Sequence, residues 1–346
     1  MEATGVRMAD NTTDESAATV EALTGAVAAA GRAPSIHNTQ PWRWRVRPDR
    51  LELLVATDRQ LPATDPDRKM LTLSCGAALH HAGLVLSAGG WATRVERLPD
   101  PGDPELLAVV VPTGRTAATT AATQLAACVG DRHTDRRPVS DEPVPEATLR
   151  AITGAAVPHG TRLQILDRDR MLAVAAAATR AGTTQYEDPR IRDELAYWTG
   201  RTATGHGTGV PAGVVPAHAP QTTVPARDFG RPGVLPVGTG HDRAAVYGLL
   251  FGDEDEPDSW LRAGEALSAA WLTATRLGVS MVPLSWVVEV SATRQALRGI
   301  LSGLGQPYLV LRIGFPDRTP DEPVPRTPRL PVEQIMDVTG PAPRGG

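Results

Sequence analysis

The chain has 346 residues and a mass of 36.6 kDa, too much for one small core and about right for two packed units. With 41% apolar and 21% charged residues it reads as a soluble globular protein, and a formal net charge of −4 argues against a nucleic-acid or anionic-membrane binder. Lys69 is the sole lysine; it follows Arg68, so the chain has no Gly-Lys-Ser/Thr phosphate loop.

In chain order, Thr19 to Ala30 reads as an Ala-rich helix with Gly31 behind it. Residues 1–15 are polar and acidic and read as a flexible tail. Trp42, Trp44 and Val46 alternate with arginines as a half-buried strand, and Leu51 to Val55 should pair with it. Met70 to Ala88 is apolar on nearly every face, which predicts a central, buried helix. Trp91 to Leu98 and Leu106 to Val111 read as strands, Ala117 to Val129 as a helix. Pro145 to Ala156 is helical, Thr161 to Leu166 a strand, and Arg168 to Ala181 and Pro189 to Thr199 are helices. Residues 200–240 are rich in Gly, Pro, Thr and His with no period, as in a functional lid or a disordered insertion. Ala244 to Phe251 reads as a strand, Ser259 to Leu277 and Arg294 to Leu301 as helices, and Tyr308 to Phe315 as a strand. The tail from Pro316 is proline-rich and extended.

The two parts of the chain resemble each other. Thr19 to Ala26 matches Thr148 to Ala155 at an offset of 129. Gly76, Ala78, Leu79, Ala82, Leu84 and Gly90 match Gly264, Ala266, Leu267, Ala270, Leu272 and Gly278 at an offset of 188. Ordered offsets favour an internal duplication over chance similarity between Ala-rich helices. The halves are then 16–125 and 126–346, with 200–240 inserted in the second and 316–346 as its tail. Such a chain does alone what two identical subunits do elsewhere, so a monomer is expected.

Two segments carry chemistry. Arg132-His133-Thr134-Asp135-Arg136 places two forked cations around a hydroxyl, which suits a phosphate; it also reads as an exposed polar turn capped by Thr134. Ala33 to Trp42 sets Ser35 and Asn38 in a loop pinned by Pro34 and Pro41. That loop offers fixed polar groups to a planar heterocycle, or is an ordered turn entering a strand. Other sites fare worse. His80 and His81 are adjacent on a helix and cannot chelate one metal together. Cys75 and Cys128 lie in no CxxC and should be reduced. The acidic run Asp253 to Glu256 reads as a solvated helix entry. His206 and His218 lie in the lid, where they could meet a substrate. Gly205-x-Gly207-x-Gly209 does not sit between a strand and a helix, and no Gly-x-Ser-x-Gly occurs.

Pro34-Ser35-x-x-Asn38-x-Gln40-Pro41-Trp42, together with Arg132-x-Thr134-x-Arg136, resembles the nitroreductase flavoprotein superfamily, in particular its fused, lid-bearing Acg-like branch. The resemblance spans nearly the whole chain. It implies an α+β fold, an internally duplicated pseudo-dimer with central helices flanked by mixed antiparallel sheets. It implies one FMN per chain, because the first half keeps the Pro-Ser loop and the second keeps the arginine motif. Pro34, Ser35, Ile36 and Asn38 are implied to approach the flavin ring. Arg132, Thr134 and Arg136 are implied to hold the phosphate. Leu284 and Ser285 resemble the segment whose backbone faces the ring, and Arg326 and Arg329 the basic segment that closes on the phosphate.

The implied activity is oxidoreduction: NAD(P)H reduces FMN, which then reduces a small-molecule acceptor. The alternatives are a non-catalytic FMN-storage protein under its lid and a biosynthetic FMN-dependent dehydrogenase. This chemistry needs no side chain as a general acid or base, and no metal, nucleic acid or membrane is expected. No uninterrupted apolar run approaches the roughly 18 residues of a membrane span, so the expected location is cytoplasmic.

Overall fold

The computed structural model describes residues 3–199, 207–238, 240–303, 305–317 and 323–338, with side chains from residue 17 onward. The first half runs α1 (Ala3–Ala30), β1 (Trp42–Val46), β2 (Leu51–Val55), α2 (Lys69–Ala88), β3 (Trp91–Arg97), β4 (Leu106–Arg115) and α3 (Thr120–Ala127). The second runs α4 (Glu146–Gly154), β5 (Arg162–Ile165), α5 (Arg168–Glu187), α6 (Pro189–Trp198), β6 (Val246–Gly252), α7 (Pro257–Arg276), β7 (Ser280–Leu284), α8 (Trp286–Glu289), α9 (Ser291–Ile300) and β8 (Gln306–Gly314), with β9 (Met336–Val338) near the end.

The two halves form sheets with the same strand order. The first is β3-β4-β2-β1 and the second β7-β8-β6-β5, with neighbouring strands antiparallel in both. Each half has its own apolar core, and the long helices α2 and α7 pack between them. α2 is long and apolar enough to cross a membrane, yet 72% of that stretch is buried here against α1, α3 and α7. Its start is fixed by Asp65, whose carboxylate accepts from the Met70 and Leu71 amides at 3.0 and 2.8 Å.

The α2–α7 crossing is reciprocal. A Cβ on Gly76 would lie 1.9 Å from the Leu261 carbonyl oxygen, and a Cβ on Gly264 would lie 1.9 Å from that of Leu73. Leu73 and Leu261, like Gly76 and Gly264, are 188 positions apart. His80 likewise meets its own mate, with Nδ1 2.8 Å from the Ser268 hydroxyl. Residue i touching j while the mate of j touches the mate of i is the signature of an isologous interface, here folded into one chain.

Three expectations change. α1 starts at Ala3, so residues 3–15 are helical rather than a loose tail; extending an existing helix costs far less than nucleating one. The C-terminal tail is not merely extended: it crosses to the first half, where β9 pairs parallel with β1 and the Trp44 amide donates to the Ile335 carbonyl at 2.7 Å. The acidic run is not wholly solvated, because Asp255 pairs with buried Lys69 and accepts from the Trp260 indole at 2.7 Å.

Candidate functional site

A cavity of about 700 Å³ lies between the halves. The first half contributes Pro34 to Asn38 and the Met70–Ser74 turn of α2. The second contributes Arg132, Thr134 and Arg136, Trp271 of α7, the Val282–Trp286 segment and Arg312 of β8. Residues between Val210 and Pro232 form its roof, and Thr327 and Arg329 of the C-terminal strap close one side. Of the residues that the resemblance assigns to the flavin ring or phosphate, Arg326 alone does not line it: half-exposed, it donates to the Asp131 carbonyl at 2.5 Å and meets His133 Nδ1.

The arginine motif divides in two. Arg132 is 5% exposed, stacks 4.6 Å over the Trp271 ring and donates to the Arg32 carbonyl at 3.2 Å. Arg329 reaches the same carbonyl at 3.4 Å and is steered by Asn38 Oδ1 at 2.9 Å and the Thr327 hydroxyl at 2.6 Å. Two guanidinium groups thus converge on one carbonyl at the end of α1, with no carboxylate pairing either among the described residues. The Nε of each makes no hydrogen bond. Burial, then the charges of Arg329 and Arg326, pushes Arg132 well below its ordinary value; burial, then the charge of Arg32, pulls Arg329 down to about 10. A guanidinium keeps its proton even when buried, so both are cations. Two desolvated like charges cost several kcal/mol unless an anion compensates them.

Arg136 stands apart. Its guanidinium lies 5.3 Å from the Phe229 ring and donates to the Val214 carbonyl at 3.1 Å, both in the roof. Burial lowers it to about 10, with Asp135 opposing and Arg312 adding to the effect. Burial also holds His37 far below the ordinary imidazole range, reinforced by Arg227 and Arg136, so its ring is neutral. His37 lines the cavity and its Nε2 has no partner.

The Pro-Ser loop is held under strain. His37, Asn38 and Gln40 have φ of 46°, 55° and 52°, left-handed values that L side chains disfavour. Ser35 supports them by accepting from the Gln40 amide at 3.0 Å, while the Ile36 amide donates to Ser74 of α2 at 3.1 Å. Asn38 is fully engaged, its Nδ2 donating to the Gly209 and Pro328 carbonyls.

The roof is better anchored than its composition suggests. Val210, Val214, Val215 and Phe229 form a small core, and Val224 joins the core of the second half. Arg227 is paired with Glu289 of α8 at 2.8 and 2.9 Å, the two side chains 5% and 1% exposed, and also donates to Gln185 of α5 at 3.2 Å. His218 lines the cavity; His206 lies outside the described residues.

The pseudo-twofold mate of the cavity is filled by side chains. Arg97 stands 188 positions before Ser285, and the turn Val157–His159 follows α4 as Ile36–Asn38 follows α1. There Arg97 grips Glu265 at 2.7 and 2.8 Å, His159 Nδ1 lies 3.4 Å from the same carboxylate, and His80 stacks edge-on against His159. Burial raises the Glu265 carboxyl, but His159 and Arg97 outweigh it and hold it at about 2 against an ordinary 4.5. The folded value is depressed, so this contribution is full above about pH 4.5 and is lost as pH falls toward 2. At about 1.4 kcal/mol per pH unit it amounts to about 3 kcal/mol. The urea midpoint of the wild type should fall across that window, and Glu265→Gln should flatten the acid slope; equal slopes would remove Glu265 from the account.

His37, Arg227, Trp271 and Arg312 were not singled out from sequence. Arg312 carried a signal, a lone charge in the apolar strand Tyr308 to Phe315, where it pairs with Asp242 at 3.0 Å. The rest carried none, because roof and α7 meet the loop only in three dimensions.

The site is thus a cavity between the halves of an α+β chain, with two buried arginines at one end that no carboxylate pairs among the described residues. The chain is 41% identical over 322 residues to a Mycobacterium tuberculosis (strain ATCC 25618 / H37Rv) protein whose name places it among the NAD(P)H nitroreductases, covering 89% of each. It is 32% identical over 329 residues to the Acg protein of the same strain, named likewise, covering 92% of this chain and 96% of that one. This chain belongs to that nitroreductase family. No protein-family model matches it. Among solved structures, an FMN- and NADPH-dependent nitroreductase from a Sphingopyxis strain aligns with a TM-score of 0.39 and 17% identity, over 62% of this chain and 99% of that one.

Proposed function

We propose that this protein is an FMN-dependent oxidoreductase holding one flavin in the cavity between its halves. The observation that carries the reading is the convergence of Arg132 and Arg329 on the Arg32 carbonyl without a carboxylate. These residues fit a phosphate dianion: buried cations, unpaired Nε donors and a hydroxyl, Thr134, among the residues lining the same cavity. Bound FMN would supply the redox chemistry, accepting a hydride from NAD(P)H and passing two electrons to a small-molecule acceptor. The chain's own part is to bind and orient. Arg132 and Arg329 hold the phosphate end. Pro34 to Asn38 and Leu284–Ser285 wall the remainder, and Arg136 and neutral His37 place a cation and an uncharged imidazole beside it. No side chain is required as a general acid or base. The visible spectrum of purified protein tests this directly, together with native mass spectrometry. We expect flavin bands at one equivalent per chain and FMN retained by the monomer. A protein that stays colourless after incubation with FMN would falsify the reading, and FMN held only by a dimer would refute the one-chain site.

The roof favours a second reading, FMN storage, because Arg227–Glu289 is buried on both sides. Breaking a buried pair typically costs 3–5 kcal/mol. Arg227→Ala should therefore speed FMN release by at least tenfold, read by stopped-flow fluorescence. Release at the wild-type rate would mean that the roof does not gate the site. Steady-state turnover with NADPH and a nitroaromatic separates enzyme from store.

A further inference from the structure

Gln40 is buried at 0% exposure, has a φ of 52°, and both polar atoms of its side chain are bound. Its Nε2 donates to the Gly207 carbonyl at 2.7 Å, in the segment that leads into the roof at Val210. Its Oε1 accepts the Leu330 amide at 3.0 Å, one residue beyond Arg329 in the C-terminal strap. Asn38 repeats the arrangement two positions earlier. Its carbonyl accepts the Gly209 amide at 3.2 Å, its Nδ2 donates to the Gly209 and Pro328 carbonyls, and its Oδ1 receives Arg329 at 2.9 Å. Roof and strap also touch: a Cβ on Gly207 would lie 3.2 Å from the Arg329 carbonyl oxygen. Two side chains of the first half therefore bracket two segments that are more than 100 residues apart in sequence.

We propose that Gln40 is a positioning residue for the phosphate end of the site: it fixes Arg329 through Leu330 and joins closure of the roof to occupancy of that end by a phosphate. This rests on the FMN reading above. The physical basis is the fixed donor and acceptor capacity of the amide. Gln40 satisfies roof and strap together only when both are seated, so an anion that draws Arg329 into place also seats the strap and, through Gln40, the roof. The coupling is reciprocal, so a closed roof strengthens phosphate binding. Riboflavin, which has no phosphate, would occupy the cavity without engaging this linkage.

The test compares FMN and riboflavin affinities, by fluorescence titration, for the wild type and for Gln40→Met. Methionine keeps the buried volume and removes both hydrogen bonds. The ratio of riboflavin Kd to FMN Kd should fall at least fivefold in Gln40→Met, where a purely structural role would weaken both ligands alike. A wild type that prefers FMN and a variant with the same preference overturn this proposal alone. A wild type that binds neither ligand overturns the FMN reading and this proposal with it. Should Gln40→Met fail to fold, hydrogen exchange on the wild type decides. FMN should slow exchange of the Leu330 and Gly209 amides together, and riboflavin should leave Leu330 unchanged. Equal protection of Leu330 by both ligands overturns the proposal.

Discussion

Arg132→Ala and Arg329→Ala should each weaken FMN by roughly tenfold to 150-fold while riboflavin changes little. A charge-assisted hydrogen bond to a desolvated phosphate is worth about 1.5–3 kcal/mol, which sets that range. Both guanidinium groups meet at the Arg32 carbonyl, so both should act on the one phosphate of the proposed FMN. The double variant should lose less than the sum, because each single removal also relieves the repulsion that the other feels. Arg136→Ala should behave differently. Its contacts are Phe229 and the Val214 carbonyl, so its loss should affect both flavins and speed the release of each. Isothermal titration with the two ligands reads all three variants. Equal losses of FMN and riboflavin in Arg132→Ala would make that arginine a structural prop for Trp271.

This division within one five-residue motif was not legible in the sequence. Arg132-x-Thr134-x-Arg136 reads as a single phosphate cradle because its arginines are two apart from one hydroxyl. The fold sends the first toward α1 and the strap and the second toward the roof. What was legible had a short period. Alternation at Trp42–Val46 gave β1, and the unbroken apolar surface of Met70 to Ala88 gave the central helix. The paired offsets set Gly76 and Gly264 as equivalent positions of two helices, but that the helices cross there is visible only in the structure. What was not legible depends on distant partners. β9 is a three-residue strand, Met336–Val338, that exists because β1 offers it an edge almost 300 positions away in sequence. The anchors of the roof, Val210, Val214, Val215 and Phe229, form no sustained helical or strand period, since Phe229 is brought to the valines by irregular backbone. Asn38 likewise reads as a ring contact, whereas its amide is spent on roof and strap.

The crossing of α2 and α7 sets the largest expected loss of stability. Gly264→Ala should destabilise by about 3 kcal/mol or more and lower Tm by on the order of 5 °C or more. Intrinsic propensity points the other way, since alanine in a helix interior is favoured over glycine by about 1 kcal/mol. The clash decides the sign. The new Cβ would meet the Leu73 carbonyl oxygen at 1.9 Å and the Ala77 amide nitrogen at 2.8 Å, both backbone atoms that no rotamer change can move. The helices must therefore separate, and each side chain packed along the crossing loses dispersion contacts. Gly83→Ala is the matched control on α2, because nothing lies within 4 Å of its added Cβ. That variant should hold or raise Tm. Gly76→Ala should reproduce Gly264→Ala, as the reciprocal geometry requires. The same shift moves Trp271 of α7 relative to Met70 and Ser74 of α2, all of which line the cavity, so FMN should be lost before the chain unfolds. Thermal melts by circular dichroism, followed in parallel by flavin fluorescence, test all three variants. A Gly264→Ala protein melting at or above the wild-type temperature would mean that α2 and α7 do not meet through these glycines.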